Sequence, residues 1–417
     1  MAKGGRKSSS LDDIIKDLYL CNKCGFCQTA CKVYKTDLNE SFSARGRVQL
    51  IKGVAEGKLP VDEGFRDAVN SCLLCQECAV ACPSGVKPHE LVLAARRYMQ
   101  QTEGLPLDKK IILGTLADPF RRKLAFSTAR FLRDKVSNKI QGFNDLKGID
   151  VRGMPIDKTG FIDQVPELNK APVSKSKVGF FVGCFINHSL AKTGHAIVKV
   201  LNKNDIDVVV PKKQVCCGTP QNAYGDFELA KKNARKNIRL YKDLDAVITG
   251  CGSCGAMLKN EYLHLFADEP GFLPEVENFA KKIFDFSAYV MHEIKLDPLK
   301  FKVFHHKVTY HDGCHMSRGL KITKEPREIL KSIPRIEYVE LREADRCCGA
   351  AGLFQSYFYE IATEISRQKV QNIDNTGADI VVTGCPACVH RIQGSLRLTG
   401  KEQKVVHLAD LLAEAYQ

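Results

Sequence analysis

All eighteen cysteines of this 417-residue chain fall into repeated motifs, and those motifs are where its chemistry must lie. Cys21, Cys24, Cys27 and Cys31 follow a CxxCxxCxxxC pattern, and Cys72, Cys75, Cys78 and Cys82 repeat it, with Pro83 after the last. Three thiolates so closely spaced wrap one corner of a cubane 4Fe-4S cluster, and the fourth of such a run serves the neighbouring cluster. The expected sets are therefore Cys21, Cys24, Cys27 and Cys82 for a first 4Fe-4S cluster, and Cys72, Cys75, Cys78 and Cys31 for a second. Zinc, which takes its four ligands as two separated pairs, fits a doubled run of eight poorly. One position departs from the pattern: Lys32 stands where proline is usual, and its side chain is expected to point into water.

The other ten cysteines form two copies of one unit. Cys184, Cys216, Cys217, Cys251 and Cys254 recur as Cys314, Cys347, Cys348, Cys385 and Cys388, at offsets of 130 to 134 residues. The words around them recur too, Val247 to Cys254 reading VITGCGSC and Val381 to Cys388 reading VVTGCPAC. Five thiolates exceed the four that a cubane uses, and an adjacent Cys-Cys pair cannot easily ligate neighbouring corners of one cube. One or two further iron–sulfur clusters of non-cubane shape are expected here, with zinc in one copy as the alternative. Gly218 and Gly349 would supply the permissive backbone after each pair.

Histidines accompany these sites. His311 and His315 flank Cys314 and are the candidate catalytic residues, as proton relays or as donors to cluster sulfur. His188 and His390 are expected to be ordinary surface or packing residues. Gly250, Gly252 and Gly255 spell GxGxxG with Asp268 beyond, a dinucleotide fingerprint in form. The second copy keeps the cysteines and loses these glycines, so no nicotinamide cofactor is expected.

The elements that must position these residues can be read from periodicity. Val48, Leu50, Ile51 and Val54 after Arg45-Gly46-Arg47 predict one helix, and Pro88 to Gln101 predicts another. After residue 175, β-branched runs ending in Gly-Cys or Thr-Gly-Cys alternate with helical stretches at Leu190 to Asn202, Phe227 to Tyr241 and Phe354 to Ile373. Such alternation predicts parallel sheets, whose ligands gather at the carboxyl ends of the strands. The expected fold is α+β and multidomain: a helical di-cluster ferredoxin followed by two tandem α/β cysteine-rich domains. The expected divisions are a disordered basic tail over 1–10, the ferredoxin over 11–104, a basic helical linker over 105–175, and cysteine-rich domains over 176–300 and 301–417.

A chain that is 44% apolar can bury such cores, and it has no run near the roughly 18 apolar residues of a membrane span. Its start lacks the apolar segment of a secretory signal, and eighteen cysteines suit metal in a reducing compartment, so a cytoplasmic location is expected. The net charge of +14 is concentrated between Leu105 and Lys139, where nine Lys or Arg face three Asp. No nucleic-acid-binding motif accompanies it, and an acidic protein or an anionic lipid surface fits as well. Leu116, Phe120, Leu124 and Phe131 run at helical spacing through this segment. The commoner arrangement packs such a stripe into the core beneath a solvated basic face. The alternative is an amphipathic helix on the cytoplasmic face of the inner membrane.

Taken together, CNKCGFCQTAC with ARGRVQLIKG, CLLCQECAVACPSGV, CCG twice, YHDGCH and TGCPAC resemble the iron–sulfur subunits of glycolate oxidase and other 2-hydroxy-acid dehydrogenase complexes. Related families are the anaerobic glycerol-3-phosphate dehydrogenase iron–sulfur subunit and the heterodisulfide reductase D subunit. The resemblance implies an electron-transfer subunit that takes electrons from an FAD-containing dehydrogenase subunit or an electron-transfer flavoprotein. It would pass them toward quinone or another acceptor, without oxidising the hydroxy acid itself. It also implies non-cubane 4Fe-4S clusters in the duplicated domains, which in heterodisulfide reductases cleave a disulfide. Catalytic reduction of a disulfide or quinone at such a cluster is thus a second expectation, and a metal-stabilised scaffold a third.

Overall fold

The computed structural model describes residues 15–132, 134, 145–146, 149–150, 156–294 and 296–416. The tail expected over 1–10 and most of 133–155 lie outside the described residues. The fold is α+β: helices dominate as far as Leu132, and sheets of mainly parallel strands follow. Two compact units result, one of Met1–Ile111 with Pro220–Phe227, the other of Ile112–Thr219 with Glu228–Gln417.

In the first unit, local capping fixes where the helices start. The Ser43 hydroxyl accepts from the Gly46 amide at 2.8 Å to open the helix Ala44–Ala55. The Asp62 carboxylate accepts from the Phe65 amide at 2.8 Å to open Glu63–Asn70, and Pro88 occupies the first turn of Pro88–Glu103. Their apolar faces meet in a core of Val48, Ile51, Val54, Phe65, Val69, Leu91, Val92 and Ala95. Gly46 is set by space: a Cβ there would stand 1.9 Å from the Glu40 carbonyl oxygen.

The second unit holds both cysteine-rich copies. The first builds a five-stranded sheet in the order Leu168–Asn169, Ile206–Val209, Ser176–Phe180, Val247–Thr249, Ile283–Asp285, all parallel except the first. The second copy's sheet, entirely parallel, runs Ile336–Tyr338, His306–His311, Ile380–Thr383, Lys404–His407. Leaving aside the antiparallel edge, the two orders are the same. In both, the opening strand of the copy lies between its second and third, a topological switch point of the kind that opens a crevice at the carboxyl ends.

The copies share one core, in which Phe180, Val182, Ile197 and Leu201 belong to the same cluster as Val308, Tyr310, Leu408 and Leu412. The last helix, Leu408–Ala415, packs on Ala191–Asn202 of the first copy, where Thr193 donates to Asp410 at 2.9 Å. The glycines of the GxGxxG sequence serve this packing. Cβ atoms at Gly252 and Gly255 would meet Met316 at 2.3 Å and Leu320 at 2.9 Å. Asp268 is engaged elsewhere, in an ion pair with Lys231 at 2.7 Å.

The basic segment forms two helices, Leu107–Ala117 and Pro119–Leu132, broken at Asp118-Pro119. Its packing inverts the core arrangement anticipated for it. In the second of these helices Arg122 is the buried residue, donating to the Leu116 carbonyl at 2.8 Å, while Phe120, Leu124 and Phe131 are 77%, 59% and 60% exposed. An inward cation is tolerated because its charge meets a carbonyl and the His188 ring.

Candidate functional site

Two cavities in the first unit collect its eight cysteines. One is lined by Cys31, Cys72, Cys75 and Cys78, the other by Cys21, Cys24, Cys27 and Cys82, so that the fourth thiol of each run stands with the first three of the other. Pro88 lines both, which makes them neighbours. Burial and the surrounding thiols Cys21 and Cys82 push the Cys27 thiol up to about 11. Cys78 is pushed well above the usual thiol range by burial and then by Cys72 and Cys75. Thiols so crowded and partly buried resist ionising alone, and a cationic iron core is the kind of partner that makes them thiolates.

Three cations near the second set were not anticipated in this form. Lys32 does not point into water: it is 4% exposed and pairs with Glu77 at 2.7 Å. Its aliphatic stem is buried and its charge is met by a carboxylate contributed by the other run. Arg47, 2% exposed, donates to the Ala68 carbonyl at 2.7 Å, to the Ser71 carbonyl and hydroxyl at 3.0 and 2.8 Å, and to Cys31 Sγ at 3.8 Å. Arg96, 4% exposed, donates to the carbonyls of Val69, Asn70, Cys72 and Ala223 at 2.6 to 3.1 Å. The two guanidinium groups thus gather the carbonyls that end the helix Glu63–Asn70 and lead into Cys72. A sequence signal for both existed: Arg47 stands on the buried stripe of its helix with Ile51 and Val54, and Arg96 on that of its helix with Met99, each a cation in an apolar row.

In the second unit, each five-cysteine set gathers at the carboxyl end of its sheet. Gly183 and Gly313 precede Cys184 and Cys314, and added Cβ atoms would lie 3.1 Å from Cys254 Sγ and 3.2 Å from Cys385 Cβ. The Cys-Cys-Gly loops close over the crevices, with Gly218 at φ +97° and Gly349 at φ +83°. Cys217 bonds Thr219 Oγ1 at 3.2 Å, and Cys348 lies 3.5 Å from Cys388. The two sets are adjacent. Cys251 and Cys385 interact directly through their thiols, and Ser253 Oγ stands 3.9 Å from Cys385 and 3.5 Å from His315 Nδ1.

The histidines divide by environment. His315 Nδ1 is 3.6 Å from Cys314 Sγ; burial opposes its protonation, but the neighbouring thiols outweigh that and raise its pKa. His311 is wholly buried, which pushes its ring down to about 3, and it approaches Cys348 and Cys388. His188 stacks on Phe126 at 4.7 Å, and His390 packs beside Phe185 at 5.2 Å. Asp312, next to His311, is clamped by Arg327 at 2.8 and 3.0 Å. Arg327→Leu would strand that buried carboxylate, and is expected to cost about 3 kcal/mol in anaerobic urea unfolding. An unchanged midpoint would mean that the clamp contributes nothing.

Residues 17–86 match the family described as "4Fe-4S dicluster domain", and residues 178–259 and 308–393 each match "Cysteine-rich domain". The chain is 32% identical to the "Probable glycolate oxidase iron-sulfur subunit" of Bacillus subtilis (strain 168), over 96% of this chain and 94% of that protein. It is 31% identical to a subunit of the CoM/CoB fumarate reductase of Methanothermobacter marburgensis, over 96% of this chain and 73% of that protein. "Lactate utilization protein A" of Shouchella clausii is 34% identical, over 56% of this chain and 98% of the relative.

Proposed function

The chain belongs to the family of glycolate oxidase iron–sulfur subunits, and from that premise we propose the route its electrons take. It is an iron–sulfur electron-transfer subunit of an oxidoreductase. The proposed donor is a separate FAD-containing 2-hydroxy-acid dehydrogenase subunit or an electron-transfer flavoprotein, acting on glycolate or lactate. The proposed acceptor is quinone or another carrier. The names of the relatives support the choice of hydroxy acid.

Cys21, Cys24, Cys27 and Cys82 would hold one cubane 4Fe-4S cluster, and Cys31, Cys72, Cys75 and Cys78 the other. The two five-thiol sets would hold non-cubane 4Fe-4S clusters. Bound clusters take up and release single electrons. The chain's own residues gather the thiols, place the two cavities side by side at Pro88, and set cations against the second. The observation that carries the reading is the sorting of eight thiols into two neighbouring sets of four. Anaerobic purification with iron and sulfide analysis tests it: a brown protein is expected, reduced by the hydroxy acid only when the flavoprotein is added. A colourless protein holding zinc alone would sink the proposal.

The contact between Cys251 and Cys385 favours a second reading, in which the duplicated domains themselves reduce a disulfide or quinone. Full reductase activity in Cys347→Ser and Cys385→Ser variants of the purified complex would eliminate it.

No helix among the described residues is long and apolar enough to cross a membrane. We place the protein in the cytoplasm, touching the inner membrane through Phe120, Leu124 and Phe131 beside Arg121 and Lys123. Replacing the three apolar residues by serine is expected to abolish flotation with anionic liposomes at low salt while leaving iron content unchanged. Equal flotation of the variant would remove this face from consideration.

A further inference from the structure

We propose that His311 is a nitrogen ligand of the metal centre at the second cysteine-rich site, so that the two duplicated sites hold chemically different centres. The inference rests on the reading that these sites bind iron–sulfur clusters. His311 ends the strand His306–His311, in register with Thr383, two residues before Cys385. Its side chain is 0% exposed, and neither ring nitrogen has a hydrogen-bond partner. Lys369, Asp312 and Cys385 act on the ring through their charges, and the neighbouring Ala344 carbonyl already accepts from the Asp312 amide at 3.0 Å and from Lys369 Nζ at 3.2 Å. A buried imidazole left so is costly, and its presence calls for an electrophile that it can meet.

The neighbours say which electrophile. One ring nitrogen of His311, Cys348 Sγ and Cys388 Sγ all lie within 4.8 Å of one another, and the two sulfurs are 3.5 Å apart. That is the spacing of three donors round one ion, with soft sulfur and borderline imidazole suited to iron or zinc. The first copy has no counterpart. Aligning Lys177, Gly183 and Cys184 with Lys307, Gly313 and Cys314 sets Phe181 against His311. Phe181 is equally buried but packs near Tyr241, with ring centroids 6.1 Å apart, and offers no donor. The duplication has kept every thiol and differed at two histidines, His311 and His315, the latter set against Phe185; His315 Nδ1 already meets Ser253 Oγ and Cys314 Sγ, whereas His311 leaves both ring nitrogens without a partner. Where His311 ligates in place of one of the five thiolates, the centre carries one negative charge fewer and is easier to reduce than an all-thiolate one. The second site is then the electron sink of the pair.

The test uses the full chain, purified anaerobically from cells grown with natural or ¹⁵N-labelled histidine, and pulsed electron paramagnetic resonance of its cysteine-rich signals. A directly bound nitrogen coupling that changes with the label is expected, lost in His311→Phe and kept in His315→Asn. The midpoint of that signal is expected to move down in His311→Phe. Should that variant not fold, the labelled wild type beside His315→Asn still decides. Full iron and sulfide content without a label-dependent coupling overturns the assignment of His311 alone. If zinc fills the site, zinc-edge X-ray absorption showing nitrogen at about 2.0 Å supports it, and an all-sulfur shell overturns it. A second site without metal overturns both this inference and the cluster reading beneath it.

Discussion

Replacing Arg47 with leucine is expected to lower the reduction potential of the cluster proposed at Cys31, Cys72, Cys75 and Cys78 and to destabilise the ferredoxin unit by about 3 kcal/mol. The stability loss follows from the acceptors. Without the guanidinium, the Ser71 carbonyl loses its donor, and the Ala68 carbonyl keeps only the Ser71 hydroxyl at 2.8 Å. Each buried acceptor left short costs about 1–3 kcal/mol. The change in potential follows from charge. Among the described residues no carboxylate pairs with Arg47 or Arg96; both donate to carbonyls, and Arg47 also donates to Ser71 Oγ and Cys31 Sγ. Buried cations want an anionic partner, and a thiolate-bound cluster, whose negative charge grows on reduction, is the partner at hand. Arg47→Lys separates the two effects, keeping the charge but not the planar fork. Its potential is expected near wild type and its stability below. The readouts are an anaerobic redox titration and urea unfolding followed at the cluster's visible absorbance. A leucine variant with an unmoved midpoint would show that the arginine serves packing alone.

Serine substitutions of the eight ferredoxin-type cysteines are expected to sort by cavity and not by motif. Cys31→Ser and Cys72→Ser are expected to lose the same signal and about four irons each, leaving the other cubane intact. Cys82→Ser and Cys21→Ser are expected to lose the other. The crossed sets lining the two cavities are the reason. Grouping of Cys31→Ser with Cys21→Ser in the spectrum would refute the crossed assignment, and so would a variant that lost both clusters while its partner lost neither.

Local chemistry carried a good deal of the fold into the sequence. The helices Ala44–Ala55 and Pro88–Glu103 stand where periodicity and Pro88 place them, and the strands Val247–Thr249 and Ile380–Thr383 run into Gly-Cys as their β-branched runs imply. Lys32 escaped such reasoning, because its burial depends on Glu77, a residue of the other motif 45 positions along the chain. Arg122 escaped it too, since an amphipathic pattern is silent on which face finds partners. There the Leu116 carbonyl and His188 drew the cation inward and left Phe120, Leu124 and Phe131 outside.

The eighteen cysteines, by number and spacing alone, determined that this protein handles electrons through iron and sulfur: eight in a doubled cubane motif, and five in each copy of a duplicated unit. Spacing suffices for that because a cluster's ligands within one run are neighbours in the chain. What lies across the chain was decided only by the tertiary structure. Packing brought Cys251 against Cys385, turned Arg47 and Arg96 in upon the residues before Cys72, and left His311 buried without a partner beside Cys348 and Cys388. Contacts between residues far apart in sequence depend on which apolar faces meet, and in the first copy the position of His311 carries only the ring of Phe181.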